Sequence, residues 1–163
     1  MATALDERDL RILSILAREG RISKAELARR VNLTPTPCWA RLQRLEAAGL
    51  IVGYRAEIAL AALAPHVTVF VLAELEAHRA SDFARFEAAV EEEEEVTACW
   101  AVGGGYDYVL QVVARDIARY QDLIEDLLAR RIGLKRYFTY VVTKTVKAGA
   151  APPLARLTGR ETI

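Results

Sequence analysis

Residues 23–54 constrain the fold of this chain most, because the signals for two helix starts and one tight turn follow each other there. Ser23 can cap a first helix, and Glu26 lies three residues further on, which is the spacing of a capping box. Asn32 and Leu33 then form the turn. The stretch therefore predicts two short helices held close together by a few residues.

The second helix of the pair has clearly marked ends. Thr34 is predicted to cap it and Pro35 to occupy its first position, where no intrahelical N–H is needed. Gly49 is predicted to end it as a C-cap glycine. The side chains that repeat at helical spacing and face inward are Cys38, Leu42 and Leu45.

The outer face of this second helix carries small, polar and cationic side chains that fit the major groove of DNA. Glutamine can read adenine, arginine can read guanine, and threonine can meet a phosphate or a thymine methyl group. Arg41 lies nearer the core flank, where it holds a phosphate or a neighbouring helix. An ordinary helical hairpin with a solvated face has the same pattern. The predicted DNA-contacting residues are Thr34, Thr36, Ala40, Arg41, Gln43 and Arg44.

Charge separates the two halves of the chain. The whole chain is neutral, with 22 basic and 22 acidic side chains, which by itself argues against a nucleic-acid binder. Residues 1–55 hold ten basic and six acidic groups, so the remainder holds twelve basic and sixteen acidic ones. A basic front half predicts that an electrostatic footprint for DNA is confined to the first domain.

The segments on either side of the helix pair complete a winged helix-turn-helix. Residues 5–18 predict another helix, with Asp6 as its cap. Residues 50–52 and 54–58 predict two short strands about Gly53, which together form a small wing. The core predicted for this domain consists of Leu13, Leu16, Leu27, Val31, Leu42, Leu45 and Ile51.

The second half of the chain follows the order β-α-β-β-α-β, which is ferredoxin-like. Pro65 breaks the chain before the first strand. The strands are predicted at 67–75, 96–102, 108–114 and 135–146. Ser81 and Asp116 are predicted to cap the two helices. The first helix is predicted to turn Phe83, Phe86 and Val90 inward. The residues that follow helical spacing in the second are Ile117, Tyr120, Gln121, Ile124, Leu127 and Leu128.

The strand at 67–75 is apolar on both faces. Phe70 and Leu72 alternate with a second apolar set made of Val67, Val69, Val71 and Ala73. Helices of the same domain can cover only one face of the sheet, so a monomer would expose an extended apolar patch. The strand therefore predicts a homodimer formed through paired sheets.

A glycine-rich stretch at 99–108 connects the two middle strands. From the residues alone, the three glycines are explained by a hairpin turn that needs positive φ angles. The stretch is not a dinucleotide-binding fingerprint, because strands flank it on both sides and no helix N-terminus follows to hold a phosphate.

Catalytic and metal chemistry find little support in the sequence. His66 and His78 are the only histidines, and neither has the neighbours of a catalytic triad or a metal set, so both are predicted to lie at the surface. The five glutamates at 91–95 predict a solvated helix end that frays, because acidic groups at a helix C-terminus oppose the macrodipole. No catalytic residue, metal ligand or cofactor is predicted.

Together these motifs resemble the Lrp/AsnC family, the leucine-responsive and asparagine-responsive, or feast/famine, transcription regulators. The matching stretches are residues 5–13, the Leu-Thr-Pro-Thr-Pro entry at 33–37, residues 41–46 and the Gly-Leu-Ile-Val-Gly-Tyr stretch at 49–54. In the second half, the glycine-rich stretch matches as well, so the resemblance covers nearly the whole chain.

The resemblance implies an ACT-like sensing domain with an effector loop. Gly104 to Asp107 is similar to the family's Gly-x-x-Asp loop, which borders the effector pocket between dimers, although Gly105 departs from the acidic or polar residue expected there. Glycine N–H groups can hold a carboxylate and Asp107 an ammonium group, so an amino acid or a relative is implied. Trp100 is alternatively a core residue. The implied effector-binding residues are Trp100, Val102, Gly104, Gly105, Tyr106 and Asp107.

The sequence thus predicts an α+β protein of two small domains. These are a winged helix-turn-helix at 1–58, a linker at 59–65, an ACT-like effector-binding and oligomerisation domain at 66–147, and a loosely ordered tail at 148–163. By resemblance to the family, the homodimers are expected to assemble further, commonly to octamers.

The predicted function is that of a sequence-specific, DNA-binding transcriptional regulator that responds to a small effector. The alternative is an ACT-like, metabolite-binding regulator of an enzyme that acts through protein contacts. Cys38 and Cys99 are predicted to be free thiols. No apolar run approaches the roughly 20 residues that span a bilayer, and the N-terminus lacks signal-peptide features. The chain is therefore predicted to be cytoplasmic, with no membrane partner.

Overall fold

A computed structural model describes residues 5–160. Within this range the chain divides into two compact units. Residues 5–58 together with residues 147–160 form the DNA-binding unit, and residues 59–146 form the effector unit. The C-terminal tail therefore packs with the N-terminal segment of the chain.

The DNA-binding unit is built on three helices, α1 (Glu7–Leu16), α2 (Lys24–Arg30) and α3 (Pro35–Ala47). Asp6 caps α1, as predicted, and Asp9 completes a capping box. Asp6 Oδ1 accepts from the Asp9 N–H at 2.9 Å, and Asp9 Oδ2 accepts from the Asp6 N–H at 3.1 Å. The two carboxylates thereby satisfy N–H groups that the helix itself leaves without partners.

The turn before α3 and the end of α3 follow the predicted backbone chemistry. Asn32 adopts a left-handed φ of 54°, and Gly49 does so at 69°. The N–H of Gly49 donates to the carbonyl of Glu46 at 2.9 Å, and the N–H of Leu50 donates to that of Leu45 at 3.1 Å. This pair of bonds is a Schellman motif, which satisfies the last carbonyls of the helix.

Two predicted caps are only half correct. Ser23 Oγ accepts from the Glu26 N–H at 3.2 Å, but the Glu26 carboxylate binds Arg29 and Arg30 and does not close the capping box. Thr34 occupies the N-cap position of α3 without a capping bond from its side chain. A nearby guanidinium outcompetes a backbone N–H for an exposed carboxylate, because it offers two charged donors.

The core of this unit differs from the predicted set in its α1 members. Ile12 is fully buried, whereas Leu13, Leu16 and Ile51 are only half-buried. The inward stripe of α1 is therefore rotated towards Ile12 relative to the prediction. The other predicted core residues are buried, namely Leu27, Val31, Leu42 and Leu45.

The two wing strands predicted about Gly53 do not form. Residues 51–59 carry no regular secondary structure, and Tyr54 instead donates from its hydroxyl to Glu46 at 2.8 Å. Gly53 is a single residue, whereas the tightest common hairpins need two residues in the loop. A ribbon this short also has too few cross-strand pairs to hold itself together.

The effector unit is a four-stranded antiparallel sheet with two helices. The strands are β1 (Val67–Leu75), β2 (Val96–Ala101), β3 (Tyr108–Ala114) and β4 (Leu134–Val141), in the spatial order β2-β3-β1-β4. The helices are α5 (Ala80–Glu91) and α6 (Ile117–Ala129), and a short α4 (Leu60–Leu63) lies in the predicted linker. This is the predicted β-α-β-β-α-β order, with β4 ending five residues early.

The helices of this unit correct several details of the prediction. Helix α5 begins one residue before Ser81, with Arg79 at the N-cap position, so Ser81 is not the cap. Asp116 does cap α6, accepting from the Arg119 N–H at 2.8 Å. The buried residues of α6 are Tyr120, Leu123, Ile124 and Leu127, whereas Ile117, Gln121 and Leu128 are exposed.

The acidic run at 91–95 is a helix end followed by a turn, and much of it is paired. Helix α5 ends at Glu91. Glu95 accepts two bonds from Arg119, at 3.0 and 2.6 Å, while Glu92 and Glu93 both pair with Arg130. Arg119 of α6 and Arg130 at the C-cap of that helix thus neutralise part of a charge cluster that would otherwise repel itself.

One face of the sheet is packed and the other is open. The packed face buries alternate residues of β1 and β3, from Val69 to Leu75 and from Tyr108 to Ala114, against α5 and α6. On the open face, the strand register aligns Trp100, Val109, Leu72 and Phe138 in one row and Ala98, Gln111, Phe70 and Tyr140 in the next. Both rows run across all four strands, so the open face is a broad and largely apolar surface.

The described part of the tail, up to residue 160, belongs to the DNA-binding unit and is not loosely ordered as predicted. Helix α7 (Leu154–Leu157) packs against α1, and Leu154 is half-buried there. Arg160 donates from its guanidinium to the carbonyl of Leu5 at 2.8 Å. Among residues 5–160, no helix is long and apolar enough to cross a membrane.

Candidate nucleic-acid interface and effector loop

The outer face of α3 presents the predicted combination of side chains. Cys38, Leu42 and Leu45 hold the inner face of the helix in the core. The residues on the opposite side are exposed, and they include Thr36, Ala40 and Gln43. Proline occupies the first and third positions of α3 and has no backbone N–H, so the start of the helix has fewer N–H groups without partners. Thr34 is exposed there, and its hydroxyl makes no capping bond.

Arg41 and Arg44 lie on one edge of this face and are tied to α1. Arg41 Nη1 lies 2.5 Å from Asp6 Oδ2 and 2.9 Å from Asp9 Oδ1. Arg44 Nη2 lies 2.6 Å from Asp9 Oδ2, although the Arg44 side chain is 49% exposed. The prediction that Arg41 holds a neighbouring helix agrees with these contacts. Arg44 also reaches the interior, because its partner Asp9 is fully buried.

The other edge of the face is formed by a tryptophan that the sequence reasoning missed. Trp39 is 36% exposed, and the ammonium group of Lys24 lies 3.3 Å from the centroid of its ring. Lys24 is the first residue of α2, so a cation–π contact joins the two helices of the motif at the surface. The available signal was helical spacing, because Trp39 falls outside the inward stripe of Cys38, Leu42 and Leu45.

The surface of α2 carries a dense ion-pair cluster. Glu26 accepts from Arg29 at 2.8 and 2.6 Å and from Arg30 at 2.9 Å, and Arg30 also donates to Glu19 at 2.6 Å. The hydrogen bonds from Arg29 and Arg30 lower the pKa of Glu26 from 4.5 to about 2. Part of the positive charge of this unit is thus neutralised locally.

The glycine-rich stretch forms an exposed loop at residues 102–107, between β2 and β3. Gly104 adopts a φ of 143°, which a residue with a side chain rarely reaches. The loop is anchored at its end, where the Asp107 N–H donates to the carbonyl of Ala73 at 2.9 Å and the Val102 N–H donates to that of Asp107 at 2.9 Å.

The Asp107 carboxylate already has two partners within the chain. Asp107 Oδ2 accepts from the Leu75 N–H at 2.8 Å, and Asp107 Oδ1 lies 3.0 Å from His78 Nε2. The side chain is 18% exposed. Asp107 therefore fastens the loop to the end of β1, and the predicted contact with an ammonium group has to use the remaining lone pairs.

The other predicted effector residues are distributed around this loop. Trp100 is 49% exposed and lies on the open face of the sheet, so it is not a core residue. Val102 is exposed, and Tyr106 packs edge-on against Phe138, with ring centroids 5.6 Å apart. The loop thus borders the open apolar face instead of enclosing a pocket within one chain.

Neither histidine is part of a reactive cluster. His66 Nδ1 lies 3.2 Å from the carbonyl of Ala64, and His78 contacts Asp107 and the ring of Phe83. Cys38 and Cys99 are free thiols, as predicted, and burial raises the pKa of Cys99 to about 11, which keeps it protonated. Over residues 5–160, no group of three or more His, Cys, Asp or Glu side chains could hold a metal ion.

Both units match known protein families. A model of the winged helix-turn-helix DNA-binding domain matches residues 5–52, and a model of the Lrp/AsnC ligand binding domain matches residues 68–152. The fold and these matches define a transcriptional regulator with one DNA-binding and one ligand-binding domain. The chain belongs to the Lrp/AsnC family.

Full-length relatives agree with this assignment. The transcriptional regulatory protein DoeX of Halomonas elongata is 52% identical over 147 residues, which are 90% of this chain and 93% of that protein. The leucine-responsive regulatory protein of Escherichia coli K12 is 40% identical over 143 residues, 88% of this chain and 87% of that protein.

Solved structures extend the agreement to three dimensions. A transcriptional regulator from Neisseria meningitidis in complex with L-Met has a TM-score of 0.88 and 30% identity, covering 94% of this chain and 99% of that one. An AsnC family transcriptional regulator from Agrobacterium tumefaciens has a TM-score of 0.87 and 31% identity at the same coverage. The predicted two-domain architecture is confirmed.

Proposed function

We propose that this protein reads DNA through the outer face of α3 and that an amino acid binding beside the glycine-rich loop modulates the reading. The observation that carries the proposal is the exposed face of α3, where Thr36, Ala40 and Gln43 stand clear of the core. Arg44 on one edge can read a base, and Lys24 on the other edge supplies positive charge for the phosphates. The DNA-contacting residues are those predicted, namely Thr34, Thr36, Ala40, Arg41, Gln43 and Arg44.

The chemical class of the effector follows from relatives and from the loop. One relative is named leucine-responsive, and one solved neighbour is a complex with L-Met. The backbone N–H groups of Gly104 and Gly105 can donate to an α-carboxylate, and Trp100 and Val102 offer exposed apolar surface to a side chain. An amino acid with an apolar side chain fits this combination best.

The assembly state is proposed from the open sheet face. Two four-residue rows, which include Trp100, Leu72, Phe138, Phe70 and Tyr140, remain uncovered in one chain. Pairing two such faces buries them and yields a C2 homodimer with two recognition helices, which suits a palindromic site. Further association of dimers around the glycine-rich loops gives an octamer, in which the effector sits between dimers.

We also infer that the protein regulates transcription without catalysing a reaction and that it works in the cytoplasm. One relative is named a transcriptional regulatory protein, and another is named a leucine-responsive regulatory protein. Effector binding at a subunit interface then changes the DNA affinity through linkage, because the effector favours one assembly or spacing of the DNA-binding units over another.

A mobility-shift titration tests the proposal. The probe is the DNA upstream of the gene that encodes this chain. The titration is run without amino acids and with amino-acid mixtures at about 10 mM, a concentration that fills even a site with a Kd of about 1 mM. We expect specific retardation that one amino acid class strengthens or weakens. Failure to retard both this DNA and any duplex selected from a random pool would favour the protein-contact alternative.

A further inference from the structure

Asp9 is the buried charge of the DNA-binding unit, and both of its oxygens are occupied. It is 0% exposed. Oδ1 accepts from Arg41 at 2.9 Å, and Oδ2 accepts from Arg44 at 2.6 Å and from the Asp6 N–H at 3.1 Å. A single carboxylate on α1 thus holds two arginines of the recognition helix.

Stability alone is a weak reason for such an arrangement. Removing a carboxylate from water is costly, and well-packed apolar residues often stabilise a core as well as a buried ion pair does. The attested benefit of a buried polar group is that it selects one geometry. The geometry selected here is that of the guanidinium groups beside the exposed face of α3.

Arg44 is placed to serve Asp9 and DNA at the same time. Its side chain is half exposed, and one terminal nitrogen contacts Asp9. A guanidinium has five N–H donors, so most of them remain available to a base edge or a phosphate. A free arginine loses rotamer entropy when it binds DNA, and an arginine that is already held in place loses less.

We propose that Asp9 is a positioning residue for DNA recognition, which fixes the guanidinium of Arg44 at the edge of the α3 face. The inference rests on the proposed function of that face. Asp9 has two effects. Asp9 holds Arg44 in one orientation for the specific contact that Arg44 makes. The negative charge of Asp9 also offsets the positive charge of Arg44, which reduces the attraction to phosphates of any sequence.

The test measures discrimination between a duplex selected from a random pool by the wild-type protein and a scrambled duplex of equal length. Affinities are measured by fluorescence anisotropy at several salt concentrations, with the full chain. For Asp9→Asn we expect the ratio of the two affinities to fall about tenfold, with weaker binding to the selected duplex and equal or stronger binding to the scrambled one. The matched control is Asp6→Asn, which touches Arg41 but not Arg44 and should change the ratio less than about twofold.

A double-mutant cycle separates positioning from simple destabilisation. If Asp9 acts through Arg44, the variant with both Asp9→Asn and Arg44→Ala should discriminate no worse than Arg44→Ala alone. Thermal melts identify any variant that fails to fold, and Asp9→Glu, which keeps the charge but moves it by one methylene group, then replaces Asp9→Asn in the cycle.

The possible outcomes distinguish this inference from the proposed function. If Arg44→Ala lowers the ratio and Asp9→Asn leaves it unchanged, Asp9 is structural and only the inference is overturned. If Arg44→Ala itself leaves the ratio unchanged, the assignment of Arg44 to the DNA-reading face is wrong and the inference falls with it. Additive losses in the double variant would also overturn the inference.

Discussion

The DNA-binding unit and the effector unit differ in how they are held together and in how much apolar surface they leave uncovered. The DNA-binding unit has a small apolar core of seven buried residues. The buried Asp9 carboxylate also joins α1 to α3 through its hydrogen bonds with two arginines. The effector unit buries sixteen apolar residues, yet it leaves the second face of its sheet open. Within one chain, the second face of this sheet therefore stays uncovered.

The strongest way to break this comparison is to make the open face polar. We expect Phe138→Asp to dissociate the proposed homodimer, because it places a charge within the open apolar face, at the β4 end of one row. Light scattering at micromolar concentration should then give a mass near 18.1 kDa, with an unchanged circular dichroism spectrum. Leu63→Asp is the control, since it adds the same charge at an exposed site away from the sheet. A wild-type mass of one chain would refute the dimer, and a stable mass of two chains would refute only the octamer.

The next test asks whether Asp107 meets the effector or only fastens the loop. Asp107→Asn keeps an oxygen that can accept from the Leu75 N–H, but it removes the charge. If the carboxylate contacts an ammonium group, calorimetry with L-leucine and L-methionine should show binding weakened by about 1.5–3 kcal/mol. Unchanged binding in Asp107→Asn combined with a loss in Asp107→Ala would assign Asp107 to the structure of the loop alone.

A third test concerns the recognition face, where a substitution should affect function without affecting stability. Gln43 is exposed on α3. We expect Gln43→Ala to weaken binding to the selected duplex by about 1–3 kcal/mol, the usual value of one base-reading contact, and to leave the melting temperature unchanged. Gln121→Ala, the same change at an exposed site of α6, should leave DNA binding unaffected. Equal affinities for the wild type and Gln43→Ala would remove Gln43 from the interface.

The smallest expected effect is the contribution of an exposed ion-pair cluster on α2 to the stability of the DNA-binding unit. Hydrogen bonds from Arg29 and Arg30 lower the pKa of Glu26 to about 2 in the folded state, against an ordinary value of 4.5. A lowered pKa means that the stabilisation is present above pH 4.5 and is lost as the pH falls towards 2. Because the pair is exposed, the change should be small. Thermal melts between pH 5 and pH 2 should show a shallower pH dependence for Glu26→Gln than for the wild type, and parallel curves would contradict the pairing.

Local chemistry made the recognition helix predictable. Pro35 and Gly49 act on the backbone next to them, so their effects could be stated without knowing the fold. Three strands of the effector unit were predictable to within one residue, because short runs of apolar and β-branched residues mark them between turn signals.

The features that the sequence did not predict share a cause, because each of them depends on contacts with other parts of the chain. Asp9 has the charge of a surface residue, and only α3, more than thirty positions away, turns it into a buried one. The wing strands failed because strand pairing needs a partner that a one-residue turn cannot present. For Asp107, the family resemblance predicted a role towards a ligand, but sequence could not reveal that Leu75 and His78 already engage its carboxylate.

The return of the tail to the DNA-binding unit has a consequence for the order in which the molecule is completed. Residues 59–146 leave the ribosome before residues 147–160, so the entire effector unit is synthesised between the first and the last parts of the DNA-binding unit. Helix α7 can reach α1 only after the whole effector unit has been synthesised. During translation the sensing half of the molecule is therefore complete first, and the half that binds DNA is the last to acquire all of its contacts.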